Sequence, residues 1–220
     1  MTRLALACAL ACLPACRTRP HASSTSRVAP LRVPRATGTL DLDGEPDEAA
    51  WQRAARTGPF LDGSGAPARP FTEVRFLRDD RALYLHLYAA DDDLRCPKVG
   101  ADGPVWLCDR FRVTFHAADG DRTLEVTPRG ELADERTPSG KSHADRSWTS
   151  HAHLGADSDG TLDDPRDDDE EWAVELAVPL EDVAAELDHA TVTVERVDVG
   201  GKDRRRAPLR YDATLVLTTS

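Results

Sequence analysis

Between Ala82 and Ala90 every second residue is apolar: Leu83, Leu85, Leu87 and Ala89 alternate with Tyr84, His86 and Tyr88. A repeat of two puts alternate side chains on opposite faces of an extended chain, so this stretch predicts a strand with one dry side. The same repeat recurs along the chain. Phe111, Val113 and Phe115 alternate with Arg110, Arg112, Thr114 and His116, and Val74 pairs in the same way with Phe76, and Leu124 with Val126. Trp172, Val174, Leu176 and Val178 continue it, as do Val192, Val194 and Val197 less regularly, then Leu215 and Leu217. Turn-forming residues separate the runs: Arg78-Asp79-Asp80, Asp119-Gly120-Asp121, Pro128-Arg129-Gly130 and Gly200-Gly201. Short alternating strands punctuated in this way predict an all-β fold, an antiparallel sandwich of two sheets.

Helix signals are few. Asp43-Gly44 makes a turn, Pro46 suits a first helical position, and Asp47-Glu48-Ala49-Ala50-Trp51 supplies acidic residues followed by helix formers. One short N-terminal helix is expected there, with Trp51 pointing inward to cap one end of the sandwich. A second helical turn is expected after Pro179, over Leu180–Ala185.

The chain opens with Arg3, the apolar stretch Leu4 to Ala11, and then Leu13-Pro14-Ala15-Cys16. This order predicts a lipoprotein signal peptide over residues 1–15, with cleavage before Cys16 leaving that cysteine to be acylated. Cys16 has Leu at −3 and a small residue at −1, whereas Cys8 and Cys12 have Ala at −3. The alternative is a soluble secreted protein cut at an Ala-x-Ala-like site. Residues 16–36 are rich in Ser, Thr, Pro and Arg without apolar periodicity, which predicts a disordered tether and leaves residues 37–220 for the folded body. No stretch after Ala15 approaches the roughly twenty apolar residues of a membrane span.

Charge divides the chain at the same place. Six of the 28 basic residues and none of the 39 acidic ones lie in residues 1–36, so the body carries 22 basic against 39 acidic side chains, a formal net charge of −17. Such a body repels nucleic acid and anionic lipid, leaving neutral ligands or divalent cations as the better partners. Membrane contact is expected through a lipid anchor alone, on a monomer in the cell envelope, periplasmic or at the outer membrane. In an oxidising compartment Cys96 and Cys108 become candidates for a disulfide that pins a segment carrying Pro97, Gly100, Gly103 and Pro104, the alternative being two free thiols.

Several of these segments, in order, resemble the family 9 carbohydrate-binding module, a member of the wider DOMON-like group of sandwiches. The segments are Leu42-Asp43-Gly44-Glu45-Pro46-Asp47-Glu48-Ala49-Ala50-Trp51, Thr72-Glu73-Val74-Arg75-Phe76, Ala82-Leu83-Tyr84-Leu85, Trp106-Leu107-Cys108-Asp109-Arg110-Phe111, Glu125-Val126-Thr127-Pro128-Arg129-Gly130, Gly160-Thr161-Leu162-Asp163-Asp164 and Trp172-Ala173-Val174-Glu175-Leu176-Ala177-Val178-Pro179. The resemblance implies a jelly-roll-like sandwich, no catalysis, a sugar ligand bound between aromatic rings, a link to glycan catabolism, and calcium as an occasional structural ion. Such a ligand makes physical sense, since a pyranose stacks its C–H face on an indole while its hydroxyls need polar partners at the rim.

By this resemblance Trp106 is the first candidate for stacking, the alternative being that it packs on the Cys96–Cys108 loop. Arg112 and Glu125 stand where sugar-binding members have Glu and Arg, the charges exchanged. The second stacking Trp of those members falls near Lys202–Tyr211, where Tyr211 is the sole aromatic residue. Trp148 is a replacement platform, placed near the start of a strand, and Arg196 a rim contact. For calcium the acidic run Asp157-Ser158-Asp159-Gly160 with Asp163 and Asp164 offers oxygen ligands around a glycine turn, Asp157, Asp159, Asp163 and Asp164 being the candidates; solvated acidic loops are the alternative.

Other chemistries find less. No Gly-x-Ser-x-Gly elbow, phosphate loop or His-Glu-x-x-His motif is present. His151 and His153, with His143 upstream, are compatible with zinc or with exposed strand histidines. Two further functions stay open: a protein-contact envelope lipoprotein with no sugar ligand, and a haem-binding periplasmic sandwich, for which the sole Met is Met1 and a His–His pair would be needed.

Overall fold

The computed structural model describes residues 29–183, 188–199 and 208–217. The expected signal peptide, Cys16, most of the expected tether, and Lys202 lie outside the described residues. In chain order the elements are β1 (Leu31–Arg32), β2 (Ala55–Arg56), β3 (Thr72–Arg78), β4 (Ala82–Ala90), β5 (Arg110–Ala117), β6 (Gly120–Val126), β7 (Leu132–Pro138), β8 (His153–Asp159), β9 (Glu171–Pro179), α1 (Leu180–Val183), β10 (His189–Val197) and β11 (Leu209–Val216). They form two sheets, a six-stranded one in the order β1-β11-β10-β5-β6-β7 and a five-stranded one in the order β2-β3-β4-β9-β8. Among the described strands every pairing is antiparallel except β1 on β11.

The alternation seen in the sequence fills the space between the sheets. Val74, Phe76, Leu83, Leu85, Leu87, Trp172, Val174 and Leu176 come from one sheet and meet Phe111, Val113, Phe115, Leu124, Val192, Val194 and Leu215 from the other, all buried. Trp172 tilts against Phe111 with ring centroids 4.9 Å apart across this seam. Each such side chain contributes about 1.5–3 kcal/mol by leaving water, so the two-sheet core is the main source of stability.

Four features depart from expectation. The N-terminal helix shrinks to a 3₁₀ turn at Trp51–Arg53, and Pro46 precedes it in irregular chain. Trp51 does not cap the end of the sandwich. It is buried on the outer face of the five-stranded sheet with Leu77 and Tyr84, its ring 5.8 Å from that of His86. Gly155 makes room for this covering segment, because a Cβ there would stand 1.9 Å from the carbonyl oxygen of Leu42. The ordered body also begins before residue 37: Val33 is buried, donates its N–H to Val216, and follows the β1 strand. β7 and β8 lack the alternation that marks the other long strands, being edge strands whose residues are mostly half-buried or exposed.

Candidate functional site

The outer face of the six-stranded sheet carries a lattice of charge. Arg112 of β5 stands opposite Glu125 of β6 on one side and Glu195 of β10 on the other, and Arg210 of β11 continues the row beyond Glu195. Arg110 Nε lies 3.0 Å from Glu125 Oε1, Arg112 Nη2 lies 3.3 Å from Glu135 Oε1, and Arg146 Nε lies 3.2 Å from Glu135 Oε2. Opposed charges on neighbouring strands hold one another in place and leave the outer guanidinium N–H groups facing solvent.

Trp106 stands at the edge of this lattice. It belongs to a 3₁₀ turn, Val105–Leu107, in which Val105 is buried while Trp106 is 55% exposed and Leu107 50% exposed. The turn is held from behind. Cys96 and Cys108 are joined by a disulfide, and the Glu131 carboxylate accepts hydrogen bonds from the N–H groups of Val99 and Gly100, the latter at 2.7 Å. Arg129 donates to the Cys96 carbonyl at 2.5 Å and Asp163 accepts from the Cys96 N–H at 3.0 Å. Gly103 is required because a Cβ would lie 2.2 Å from the Val99 oxygen. The indole therefore stands free on a braced support, beside a depression of about 40 Å³ that it shares with Thr123, Glu125, Glu135 and Arg146.

Trp106, Arg112 and Glu125 are thus brought together, joined by Arg110, Glu135 and Arg146, which sequence reasoning did not single out. Glu135 lies on β7, where no alternation marks which side chains face outward. The other candidates lie elsewhere. Arg196 is a correction: it opposes Phe111, points into the sandwich, is 2% exposed, and pairs with Asp91 at 2.8 Å while donating to Thr72 at 3.3 Å. Tyr211 is a second correction, since it opposes Val194 on the inner face and stacks on Phe60 at 5.5 Å. Trp148 is half-buried in irregular chain between β7 and β8, and is not part of the wall of the depression.

The four candidate calcium ligands do not converge. Asp157 and Asp159 lie on β8, opposite Ala173 and Glu171. Asp163 holds the Cys96 N–H and Arg129, and Asp164 pairs with Arg166. Among the described residues the carboxylates that do gather are Asp91, Asp109 and Asp198, with oxygens within 4.8 Å of one another. Burial, and then Asp91, pushes the Asp109 carboxyl up to about 7, although its oxygens accept from the N–H groups of Arg95 and Val199 at 2.6 Å each. Arg196 supplies positive charge to this cluster, 3.9 Å from Asp198.

No protein-family model matches the chain, and no curated protein sequence is significantly similar to it. Solved structures do share its architecture. A proposed carbohydrate-binding protein from Bacteroides uniformis superimposes with a TM-score of 0.62 at 14% identity, covering 86% of this chain and 91% of the other. A family 9 carbohydrate-binding module from Caldicellulosiruptor kristjanssonii, in complex with glucose, superimposes with a TM-score of 0.56 at 14% identity, covering 86% of this chain and 96% of the module. The same module in complex with cellotriose gives a TM-score of 0.56 and covers 95% of that chain. The two-sheet sandwich of this chain is therefore similar in fold to the family 9 carbohydrate-binding modules.

Proposed function

We propose that this protein is a non-catalytic carbohydrate-binding protein, held at the cell envelope by a lipid on Cys16 and serving glycan catabolism. The ligand is the end of an oligosaccharide or polysaccharide. One sugar ring lies with its C–H face on Trp106, and its hydroxyls reach the Glu125–Arg112–Glu135–Arg146 lattice. The observation that supports this reading is the exposed indole braced beside paired charges, an arrangement that offers both an apolar plane and hydrogen-bonding groups at one spot. The exposure of Trp106 is otherwise unfavourable, since a large indole in water contributes nothing to the core. A glycan array with the purified protein, followed by calorimetry on the best ligand, tests the proposal. Trp106→Ala is expected to weaken binding about tenfold or more, equivalent to about 1.4 kcal/mol, with unchanged circular dichroism. Unchanged affinity in that variant removes the indole from the site.

Leu107, 50% exposed beside Trp106, favours a second reading in which the pair contacts another protein. Wild-type protein that ignores every glycan on the array, yet loses a cross-linked envelope partner on Trp106→Ala, decides for that reading.

A further inference from the structure

The depression beside Trp106 is too small for the sugar ring proposed to lie there. At about 40 Å³ it admits a few water molecules and no pyranose, so one of its walls has to yield when a ring arrives. Trp106 is not that wall, because its turn is braced from behind. Nor are the two arginines of β5. Arg110 is tied to Glu125 and to the Cys108 carbonyl, and Arg112 reaches Glu125 at 3.9 Å and Glu135 at 3.3 Å.

Arg146, from the chain after β7, is held differently. Its side chain is 72% exposed, and only Nε is engaged, 3.2 Å from Glu135 Oε2, while Nη1 and Nη2 have no partner among the described residues. An ion pair this exposed is held weakly. The backbone beneath it is fixed. Arg136 of β7 and Asp145 exchange backbone hydrogen bonds at 3.0 and 2.7 Å, and the Asp145 carboxylate accepts from the N–H and the hydroxyl of Ser147 at 2.9 and 2.6 Å. Movement is therefore confined to rotation of the long side chain about its own bonds. Glu135 does not follow it, since Oε1 stays on Arg112. Departure of Arg146 thus uncovers Oε2 as a charged acceptor, already in place for a sugar hydroxyl.

We infer that Arg146 is a jaw, parked on Glu135 in the free protein and closed over the bound ring, an inference that rests on the carbohydrate-binding function proposed above. The ring lies on Trp106 and gives a hydroxyl to Glu135 Oε2, and the displaced guanidinium covers its other side. Trp106 is the only aromatic residue among the described residues that line the depression, so no second ring performs this task. A guanidinium is suited to it, being planar and rich in N–H donors. Wild type and variants are mixed with cellotriose, xylotriose, mannotriose and laminaritriose in a stopped-flow fluorimeter, with indole emission as the signal and Trp106→Ala as the control for this site. Most substitutions at a binding surface change dissociation alone, whereas loss of a parked jaw changes both rates. Arg146→Ala is expected to associate about twofold faster or more, because nothing has to be displaced, and to dissociate about fivefold faster or more, because nothing closes. Arg146→Lys still parks on Glu135 but lacks the planar fork, so it associates like wild type and dissociates faster. Association no faster in Arg146→Ala than in wild type overturns the parking, and unchanged dissociation overturns the closure; in both cases binding that depends on Trp106 leaves the carbohydrate function standing. Wild-type protein that binds none of the four trisaccharides overturns the jaw together with the function on which it rests.

Discussion

Glu175 is fully buried on the outer face of the five-stranded sheet, opposite His86, beneath the segment that carries Trp51. Its Oε2 accepts the N–H groups of Asp43 and Gly44 at 3.1 and 3.2 Å, yet burial still pushes its carboxyl from 4.5 up to about 7, while burial and then Arg75 push His86 down to about 4. The signs oppose. A carboxyl whose folded pKa is raised contributes stability fully present below its unfolded value, near 4.5, and loses it as pH rises toward 7. A histidine whose folded pKa is depressed contributes stability above 6.5 and loses it as pH falls toward 4. Glu175→Gln removes the first slope and keeps an acceptor for both N–H groups, so its melting temperature relative to wild type is expected to climb from pH 4.5 to pH 7 in calorimetric scans. A parallel pair of curves shows that Glu175 does not titrate in this window. Arg196 gives a second expectation at this scale. Arg196→Met leaves Asp91 buried without its guanidinium, and about 3–5 kcal/mol of stability is expected to disappear in urea unfolding. Parity explains why a sequence reading misplaces this residue and Tyr211. Arg196 shares a face with Val192 and Val194, and Tyr211 with Leu215, so a strict count of two turns both inward. The resemblance to sugar-binding modules points the other way for these two residues, because it was carried by position without counting the strand parity.

The strands were legible where one face is dry and the other wet. β4 coincides with the expected run Ala82–Ala90, β3, β5, β6, β9 and β10 contain their expected apolar residues, and β11 contains Leu215 while Leu217, also buried, follows its end. β8 was not legible, because Asp157-Ser158-Asp159 reads as a solvated acidic turn and only its pairing with β9 makes it extended. The N-terminal helix fails for a related reason: Trp51 gains more by lying on Leu77 and Tyr84 than the segment gains from a longer helix, and short helices are marginal without packing. Residues 96–108 combine local and distant restraints. The disulfide was foreseen as an option, whereas the hydrogen bonds from Val99 and Gly100 to Glu131 bridge about thirty residues and have no local signal. Replacing both Cys96 and Cys108 by Ser is expected to cost about 3 kcal/mol, the value for closing a loop of this size. Ligand affinity should fall with it, because the backbone under Trp106 is then held only by the hydrogen bonds of Glu131, Arg129 and Asp163; unaltered affinity in the double variant, measured well below its melting point, shows that those hydrogen bonds suffice.

The molecule as a whole is a sandwich whose core comes from both sheets, so neither sheet is stable alone and unfolding is expected to be a single transition. Its boundary is set by pairing and not by composition. The composition changes after Ala36, but β1 hydrogen-bonds along β11 and Val33 is buried between them and the core. A chain begun at Thr37 is expected to lose about 1.5–3 kcal/mol from Val33 alone relative to one begun at Ala29, read as a lower denaturation midpoint with a similar slope. Equal midpoints show that β1 is dispensable. The position of β1 has a further consequence. It forms one rim of the six-stranded sheet, while β6 and β7, which carry Glu125 and Glu135, form the opposite rim. With neighbouring strands about 4.8 Å apart, β1 enters the sheet roughly 20 Å from β6, the strand beside which Trp106 stands. Under the lipid attachment proposed at Cys16, the body would be held at its β1 rim, across the sheet from the indole and its charged neighbours.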